Sequence, residues 1–339
     1  MEIRQPYLMF LGDAPDQLAA KTAKGVAYWR PDACIGQLRL EGCKADLGLP
    51  DMSVEEAAEK GVKTLVIGVA NRGGRIAPTW EQTMLKALDL GMDIASGLHK
   101  KVADIPSVRE KAAKLGRSLF DVRHPTNDFE LGTGAPRTGR RVLTVGTDCS
   151  VGKMFASLAL EDELKKRGAN ADFRATGQTG IFIAGSGVSV DAVISDFISG
   201  AVEAIAPEND PNHWDLIEGQ GSLFHASFAG VSMGLIHGAQ ADYLVMCHEP
   251  GRPHMRGLPH YGLPDIAEAI ALNERCARLT NPRAKVVGIA CNTSAMSESE
   301  AESTLAALAK EFGMPAVDPV RTGVASIVDA MLADAGETA

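Results

Sequence analysis

The chain has 339 residues, of which 45% are hydrophobic and 23% are charged, and it carries a formal net charge of −9 at pH 7. This length predicts two domains, each large enough to bury a core. The acidic balance argues against a nucleic-acid partner, which requires a basic face. No apolar run reaches the roughly 20 residues that span a bilayer, and the first residues lack the pattern of a signal peptide. We therefore expect a cytoplasmic protein that binds no membrane.

The first third of the chain alternates apolar runs with helical patterns. YLMFLG (7–12) is typical of a strand, and KTLVIGVA (63–70) is the continuous apolar run of a strand buried in a parallel sheet. Between them, Ser53 and Glu56 have the spacing of a capping box at the start of a helix. This βαβ alternation predicts an α/β fold, with a Rossmann-like N-terminal domain over residues 1–132.

The loop LGTGAPRTGRR (131–141) marks the predicted domain boundary, because its glycines and proline interrupt regular structure. Beyond it, strands, glycine turns and helices alternate again to the end of the chain. They predict a second domain with a parallel sheet over residues 140–339. Its clearest strands are RVLTVGT, WDLIEGQGS and AKVVGIACNTS.

GTDCSVGKM (146–154) follows a strand and opens a helix, which is the context of a phosphate-binding loop. Backbone N–H groups of such a loop form an anion cradle, the helix N-terminus adds its positive dipole end, and a lysine adds a full charge. The segment departs from the G-x-x-x-x-G-K-[ST] pattern in its spacing and in Met154, which replaces the hydroxyl residue that ligates Mg²⁺. The expected cofactor-binding residues are Gly146, Thr147, Cys149, Ser150, Val151, Gly152, Lys153 and Met154.

Three segments resemble motifs of dethiobiotin synthetase and its relatives. GTDCSVGKM is similar to their GTD-x-x-VGKT loop, LIEGQGSL (216–223) to their strand ending in Glu-Gly-x-Gly, and GIACNTS (288–294) to their base-side strand ending in Asn. The resemblance implies a P-loop NTPase-like sheet in the C-terminal domain. Because the thioether of Met154 does not ligate Mg²⁺ as a hydroxyl does, we expect no metal and no metal-assisted phosphoryl transfer.

Over essentially its whole length, the chain also resembles the DgcN family, through GTDCSVGKM, RATGQTG and EGQGSLFHASFAGVS. Members of that family, formerly a P-loop domain of unknown function, are described as D-glutamate N-acetyltransferases. The resemblance implies transfer of an acetyl group from acetyl-CoA to the amino group of D-glutamate, in D-amino-acid catabolism. Coenzyme A carries a pyrophosphate, so the loop would hold acetyl-CoA as co-substrate and would not need a magnesium ligand.

Acetyl transfer to an amine requires a base, because an ammonium group is not nucleophilic, and it requires donors for the oxyanion. Glu218 follows a strand beside the loop and is the first candidate for the base, with His225 second and Asp148 third. The EGQGS segment offers backbone N–H groups for the oxyanion. Glu218 has an alternative role in ordering the loop, and His225 is equally a candidate for a packed, hydrogen-bonded histidine.

Cys149 is predicted to have a lowered thiol pKa, because it precedes a helix N-terminus. An acetyl-cysteine intermediate is therefore a further alternative, beside a packing role for this small loop residue.

Four arginines are candidates for binding the two carboxylates of the acceptor, because a guanidinium group binds a carboxylate through two parallel hydrogen bonds. Arg72 and Arg75 follow a buried strand and are candidates for holding a carboxylate or a phosphate, and Arg252 and Arg256 lie in HEPGRPHMRGLPHYG. For Arg252 and Arg256 the alternative is a solvated basic loop. The histidines near them lack the spacing of a metal site.

Two other functions stay open from the sequence. An ATP-dependent kinase or ligase of the dethiobiotin synthetase type would release ADP in a magnesium-dependent reaction. A non-catalytic nucleotide or CoA sensor would be stabilised by its ligand without turnover. A homodimer is expected in each case, because two-fold pairs are the commonest assembly.

Overall fold

The computed structural model describes residues 3–17, 19–69, 76–125 and 128–336. The predicted carboxylate ligands Arg72 and Arg75 lie outside these described residues. None of the helices in the described ranges is long and apolar enough to cross a bilayer.

The protein divides into two compact units. The first comprises Met1–Asn127 together with Gly177–Ala192, and the second comprises Asp128–Thr176 together with Val193–Ala339. The first unit therefore includes a short segment from the second half of the chain.

The first unit contains a parallel sheet with the strand order β2-β1-β3-β4-β5. This is the strand order of flavodoxin-like folds. Successive strands are added first on one side of β1 and then on the other, so the switch point lies between β1 and β3. Every residue of β1 and β3 is buried, because helices cover both faces. The strands are β1 (Tyr7–Gly12), β2 (Cys34–Arg39), β3 (Thr64–Ile67), β4 (Asp93–Ser96) and β5 (Leu119–Asp121).

Three helices of the first unit begin at recognisable signals. The predicted capping box is confirmed: Ser53 accepts a hydrogen bond from the Glu56 backbone, and Glu56 accepts one from the Ser53 backbone. The α3 and α4 helices begin with Pro78 and Pro106, whose fixed φ suits the first helical position. The helices are α1 (Lys21–Trp29), α2 (Val54–Glu59), α3 (Pro78–Asp89) and α4 (Pro106–Leu115).

The second unit contains a parallel sheet with the order β11-β10-β9-β6-β8-β7. Two parallel-sheet α/β units, Rossmann-like and then P-loop-like, confirm the predicted fold class. The strands are β6 (Arg140–Gly146), β7 (Ala171–Arg174), β8 (Trp214–Ile217), β9 (Tyr243–His248), β10 (Lys285–Cys291) and β11 (Ala316–Val317). The remaining helices are α5 (Lys153–Lys166), α6 (Gln178–Ala184, in the first unit), α7 (Ile198–Ile205), α8 (Ala229–Ala239), α9 (Ile266–Ala277), α10 (Glu298–Phe312) and α11 (Ala325–Ala335).

The central strand β6 lies between β8 and β9. Leu143 pairs with Ile217 of β8, and Gly146 pairs with Cys247 of β9. Because all strands are parallel, the loops that follow β6, β8 and β9 meet at the carboxyl edge of the sheet, where open α/β sheets bind their ligands.

Arg137, in the segment before β6, binds the ends of two helices. Its guanidinium donates to the carbonyls of Glu203 and Ala206 at the end of α7 and to Gly238 O (2.5 Å) at the end of α8. Burial lowers the pKa of Arg137 to about 10, but a helix C-terminus favours a cation. One side chain thereby satisfies carbonyl groups that have no partner within their own helices.

We expect Arg137→Met to destabilise the protein by about 2–4 kcal/mol, because it leaves buried carbonyls without a donor. Urea denaturation would measure the loss. The control is Arg283→Met, since the Arg283 side chain is 84% exposed and pairs with Asp242 at the surface. Equal stability of the two variants would contradict this role of Arg137.

Candidate active site

The phosphate loop occupies the turn between β6 and α5. A Cβ atom on Gly146 would lie 2.9 Å from Val151 Cγ2 and 3.2 Å from Cys247 O, so the turn excludes larger residues. Ser150 and Gly152 have φ angles of 55° and 104°, in the left-handed region. Successive N–H groups in such a backbone form a concave anion-binding nest.

The carbonyl groups of residues 147–150 have donors that hold them in place. Ser222 Oγ donates to Thr147 O (3.1 Å), and Lys153 Nζ donates to Asp148 O (2.8 Å). Arg252 donates to Cys149 O (2.7 Å) and Ser150 O (3.1 Å). Four consecutive carbonyls are thus fixed by three side chains.

Three successive N–H groups of the loop are unpaired in the part of the chain that the structure describes. Among the described residues, no acceptor faces the backbone N–H groups of Ser150, Val151 or Gly152. Lys153 begins α5, so its own N–H group also has no partner within the helix. Burial lowers the pKa of the Lys153 ammonium, and an anion bound at the loop would favour its charged form. The residues present therefore fit a bound phosphate.

Asp148 lies inside the loop with both carboxylate oxygens bonded. Oδ1 accepts from Cys149 N (2.6 Å), and Oδ2 accepts from Arg252 Nη1 (2.6 Å) and Arg256 N (2.8 Å). The side chain is fully buried. This carboxylate joins the phosphate loop to the segment that follows β9.

The two predicted arginines of that segment differ in their surroundings. Arg252 is largely buried and pairs with Asp148 and Glu249 in addition to the loop carbonyls. Arg256 is exposed, and no described residue accepts a hydrogen bond or forms an ion pair with its guanidinium group. Arg256 therefore has a side chain available for an anionic ligand.

His225 is held in one orientation. Its Nε2 donates to Arg256 O (3.1 Å), its Nδ1 accepts from Ser227 N (3.2 Å), and its ring stacks on Phe228. It is therefore the Nε2–H tautomer. Ligand atoms of Asp148, Cys149 and His225 lie within 4.8 Å of one another, but those of Asp148 and His225 already bind protein groups.

The predicted lowering of the Cys149 pKa is wrong. Burial raises the pKa of this thiol, and nearby Lys153, Arg256 and Arg252 offset the increase only in part. The helix begins at Lys153, four positions beyond Cys149, and the helix dipole acts only within the first turn. Cys149 is therefore a thiol at rest, which removes the basis for a preformed thiolate nucleophile.

Glu218 directly follows β8 and is buried. Its Oε2 accepts from Thr176 N (2.9 Å), and Thr176 Oγ1 donates to Glu218 O (2.6 Å). Its carboxylate therefore lies between the ends of β8 and β7. The next residue, Gly219, donates its N–H to Thr144 Oγ1 (2.9 Å) on β6.

His248 is a site residue that the sequence analysis did not single out. It ends β9, and its Nδ1 shares a hydrogen bond with Thr147 Oγ1 (3.0 Å) in the phosphate loop. Burial lowers the pKa of His248, which favours the neutral imidazole. Its place at the end of a strand-like run was a signal, but the sequence did not show that β9 adjoins β6.

We expect Gly219→Ala to disrupt the phosphate loop, because a Cβ atom there would lie 1.6 Å from Thr144 O and 2.9 Å from Lys153 Cδ. A clash with backbone requires β6 or β8 to move, at a cost of about 2–5 kcal/mol. Thermal unfolding measures the effect. Gly262→Ala is the control, since nothing lies within 4 Å of its added Cβ; matching melting temperatures for the two variants would refute the close approach.

Comparison with known proteins identifies both domains. Residues 130–328 match a family described as a P-loop domain of unknown function, DUF1611, and residues 38–125 match its Rossmann-like N-terminal domain. A solved structure of a DUF1611 family protein from Anabaena variabilis has a TM-score of 0.87 and 34% identity, covering 97% of this chain and 100% of that one.

Two curated relatives are more similar in sequence, and each is named D-glutamate N-acetyltransferase. One, from Tritonibacter scottomollicae, is 52% identical over 331 residues, 98% of this chain and 99% of the relative. The other, from a Pseudoalteromonas species, is 50% identical over 328 residues, 97% of this chain and 99% of the relative. These matches confirm the family predicted from the sequence: the chain belongs to the DUF1611 family, with both its Rossmann-like and its P-loop domain.

Proposed function

We propose that this protein is a D-glutamate N-acetyltransferase, which moves the acetyl group of acetyl-CoA to the amino group of D-glutamate. The observation that carries the proposal is the name shared by two relatives that are at least 50% identical over nearly the whole chain. A cytoplasmic homodimer acting in D-amino-acid catabolism belongs to the same proposal.

The phosphate loop supplies the binding site for coenzyme A in this proposal. Its free N–H groups, the N-terminus of α5 and the Lys153 ammonium group suit the pyrophosphate. Acetyl transfer moves no phosphoryl group, so the loop needs no hydroxyl ligand for Mg²⁺ at Met154.

The sheet edge provides a path from the phosphates to the reacting thioester. Neighbouring strands lie about 4.8 Å apart, so the end of β7 is roughly 10 Å from the loop after β6. Three extended residues of a polypeptide span about 10 Å. The pantetheine arm of coenzyme A has more chain atoms than three residues, so it can cover this distance. An arm that runs across β8 toward β7 brings the thioester to Glu218 and Thr176.

Glu218 is the proposed base at that position. It takes a proton from the D-glutamate ammonium, and the free amine then attacks the acetyl carbonyl. The N–H groups of Gln220 and Gly221, which face no acceptor among the described residues, are the proposed oxyanion donors. After the attack the nitrogen is positively charged. When the tetrahedral intermediate collapses, the C–S bond breaks, the nitrogen loses its second proton, and the departing CoA thiolate takes that proton up. Glu218 returns the first proton to solvent.

His225 and Asp148 are given positioning roles in this proposal, because both bind the segment after β9: His225 donates to Arg256 O, and Asp148 accepts from Arg252 and from Arg256 N. Arg256 is the proposed ligand for an acceptor carboxylate, because its guanidinium group is exposed and unpaired among the described residues. Arg72 and Arg75 stay candidates for the same role from their sequence context.

The purified protein should release CoA from acetyl-CoA when D-glutamate is added, without ATP and in the presence of EDTA. A free-thiol assay measures this, with L-glutamate as the matched control. A flat signal with both isomers would reject the acetyltransferase. Magnesium-dependent ADP release would instead indicate the kinase or ligase, and stabilisation by CoA without turnover would indicate a sensor.

Lys153→Ala and Glu218→Gln should affect different kinetic constants. Losing the ammonium group should raise KM for acetyl-CoA about tenfold to a hundredfold, the value of a charge-assisted hydrogen bond. Losing the base should lower kcat by about 10²- to 10⁴-fold with a small change in KM. Steady-state kinetics on variants with native melting curves would measure both, and reversed effects would show that the two roles are wrongly assigned.

A further inference from the structure

The guanidinium group of Arg252 binds the outer side of the phosphate loop. Nη1 donates to Asp148 Oδ2 (2.6 Å) and to Cys149 O (2.7 Å), and Nη2 donates to Ser150 O (3.1 Å) and pairs with Glu249. The terminal nitrogens of the guanidinium are therefore used within the protein. An arginine that binds a substrate carboxylate needs terminal nitrogens without protein partners, and Arg252 does not have them.

The two carbonyls that Arg252 binds belong to particular peptide units. Cys149 O shares its peptide with the Ser150 N–H group, and Ser150 O shares its peptide with the Val151 N–H group. Because a peptide bond is planar and trans, its C=O and N–H groups point in opposite directions. Fixing the two carbonyls on Arg252 therefore turns the Ser150 and Val151 N–H groups to the opposite side, where no described residue accepts from them.

Ser150 gives a reason why this orientation needs support. Its φ of 55° is in the left-handed region, which costs a residue with a Cβ on the order of 1 kcal/mol. The hydrogen bond from Arg252 to Ser150 O opposes relaxation of that backbone. The loop can thus keep its binding conformation when no ligand is bound.

The effect of Arg252 is geometric more than electrostatic. Its positive charge is paired with Asp148 and Glu249, so it adds little net charge for an anion. A lysine has a single nitrogen and cannot hold two carbonyls and two carboxylates in the plane of a guanidinium fork.

We propose that Arg252 is a positioning residue that preorganises the phosphate loop for the pyrophosphate of the acyl donor, without touching either substrate. Arg256, four residues later, is the contrasting case, with a free side chain assigned to the acceptor. The proposal rests on the proposed function only in naming acetyl-CoA as the donor.

Kinetics of two variants test this assignment. Arg252→Lys should raise KM for acetyl-CoA about tenfold or more, the effect of losing one hydrogen bond to a charged group, with KM for D-glutamate changed less than about twofold. Arg256→Lys should raise KM for D-glutamate about tenfold or more and change KM for acetyl-CoA less than about twofold. Arg278→Lys is the control, because Arg278 lies on the surface after α9 and pairs with Glu274.

Two binding measurements make the result independent of turnover. Calorimetry with CoA, and with pyrophosphate alone, should show the same weakening in Arg252→Lys even if the protein acetylates nothing, which separates this inference from the proposed function. Guanidinium ion, added below denaturing concentrations, should restore CoA affinity to Arg252→Ala, which a purely structural role would not predict.

Unchanged CoA and pyrophosphate affinity in Arg252→Lys would overturn the inference. So would an increase in KM for D-glutamate in place of acetyl-CoA, or absence of binding in the unaltered protein. Global unfolding of both Arg252 variants would overturn it as well, because the role assigned to Arg252 is local to the loop.

Discussion

The planar peptide bond sets the constraint on which the second unit depends: an N–H group can face an anion only if the C=O group of the same peptide faces something else. In the phosphate loop, Ser222, Lys153 and Arg252 bind the carbonyls of residues 147–150. Each donor comes from a different element of the sheet edge: the loop after β8, the start of α5 and the segment after β9. The anion cradle is therefore a product of the whole edge and not of nine consecutive residues.

Holding these donors in place requires buried charge, which is costly unless it is paired and hydrogen-bonded. Asp148 meets that condition, since its fully buried carboxylate accepts three hydrogen bonds, one of them from a guanidinium group. Lys153 meets it less completely, because its ammonium group binds a neutral carbonyl and burial lowers its pKa. Of the two, Lys153 has more to gain from an anionic ligand, whereas Asp148 and Arg252 are already balanced.

Local signals in the sequence predicted the fold class and the strand-to-helix turn that forms the phosphate loop. Continuous apolar runs identified buried parallel strands, Ser53 and Glu56 marked a helix start, and the spacing of glycine and lysine marked the loop. The partners of the loop could not be predicted in this way. Asp148 and Arg252 are 104 residues apart, and their pairing depends on β9 lying beside β6. The prediction of a lowered Cys149 pKa was wrong for a related reason. The position of a helix N-terminus can be predicted from the local sequence, but the burial of the thiol depends on residues that are distant in the sequence.

The strands on either side of β6 contribute differently to the proposed site. Residues after β9 hold the phosphate loop through Arg252, whereas residues after β8 hold it through Ser222 and also supply the proposed base, Glu218. Gly219 links the proposed base to the phosphate loop, because its lack of a side chain lets the residues after β8 approach the backbone of β6 and the side chain of Lys153. Any shift of the loop lysine would therefore meet the residue next to the base. In the proposed mechanism, the phosphates of the donor bind at Lys153, and the contact between Gly219 and Lys153 fixes the distance from there to Glu218. The thioester at the end of a flexible arm then has a defined target.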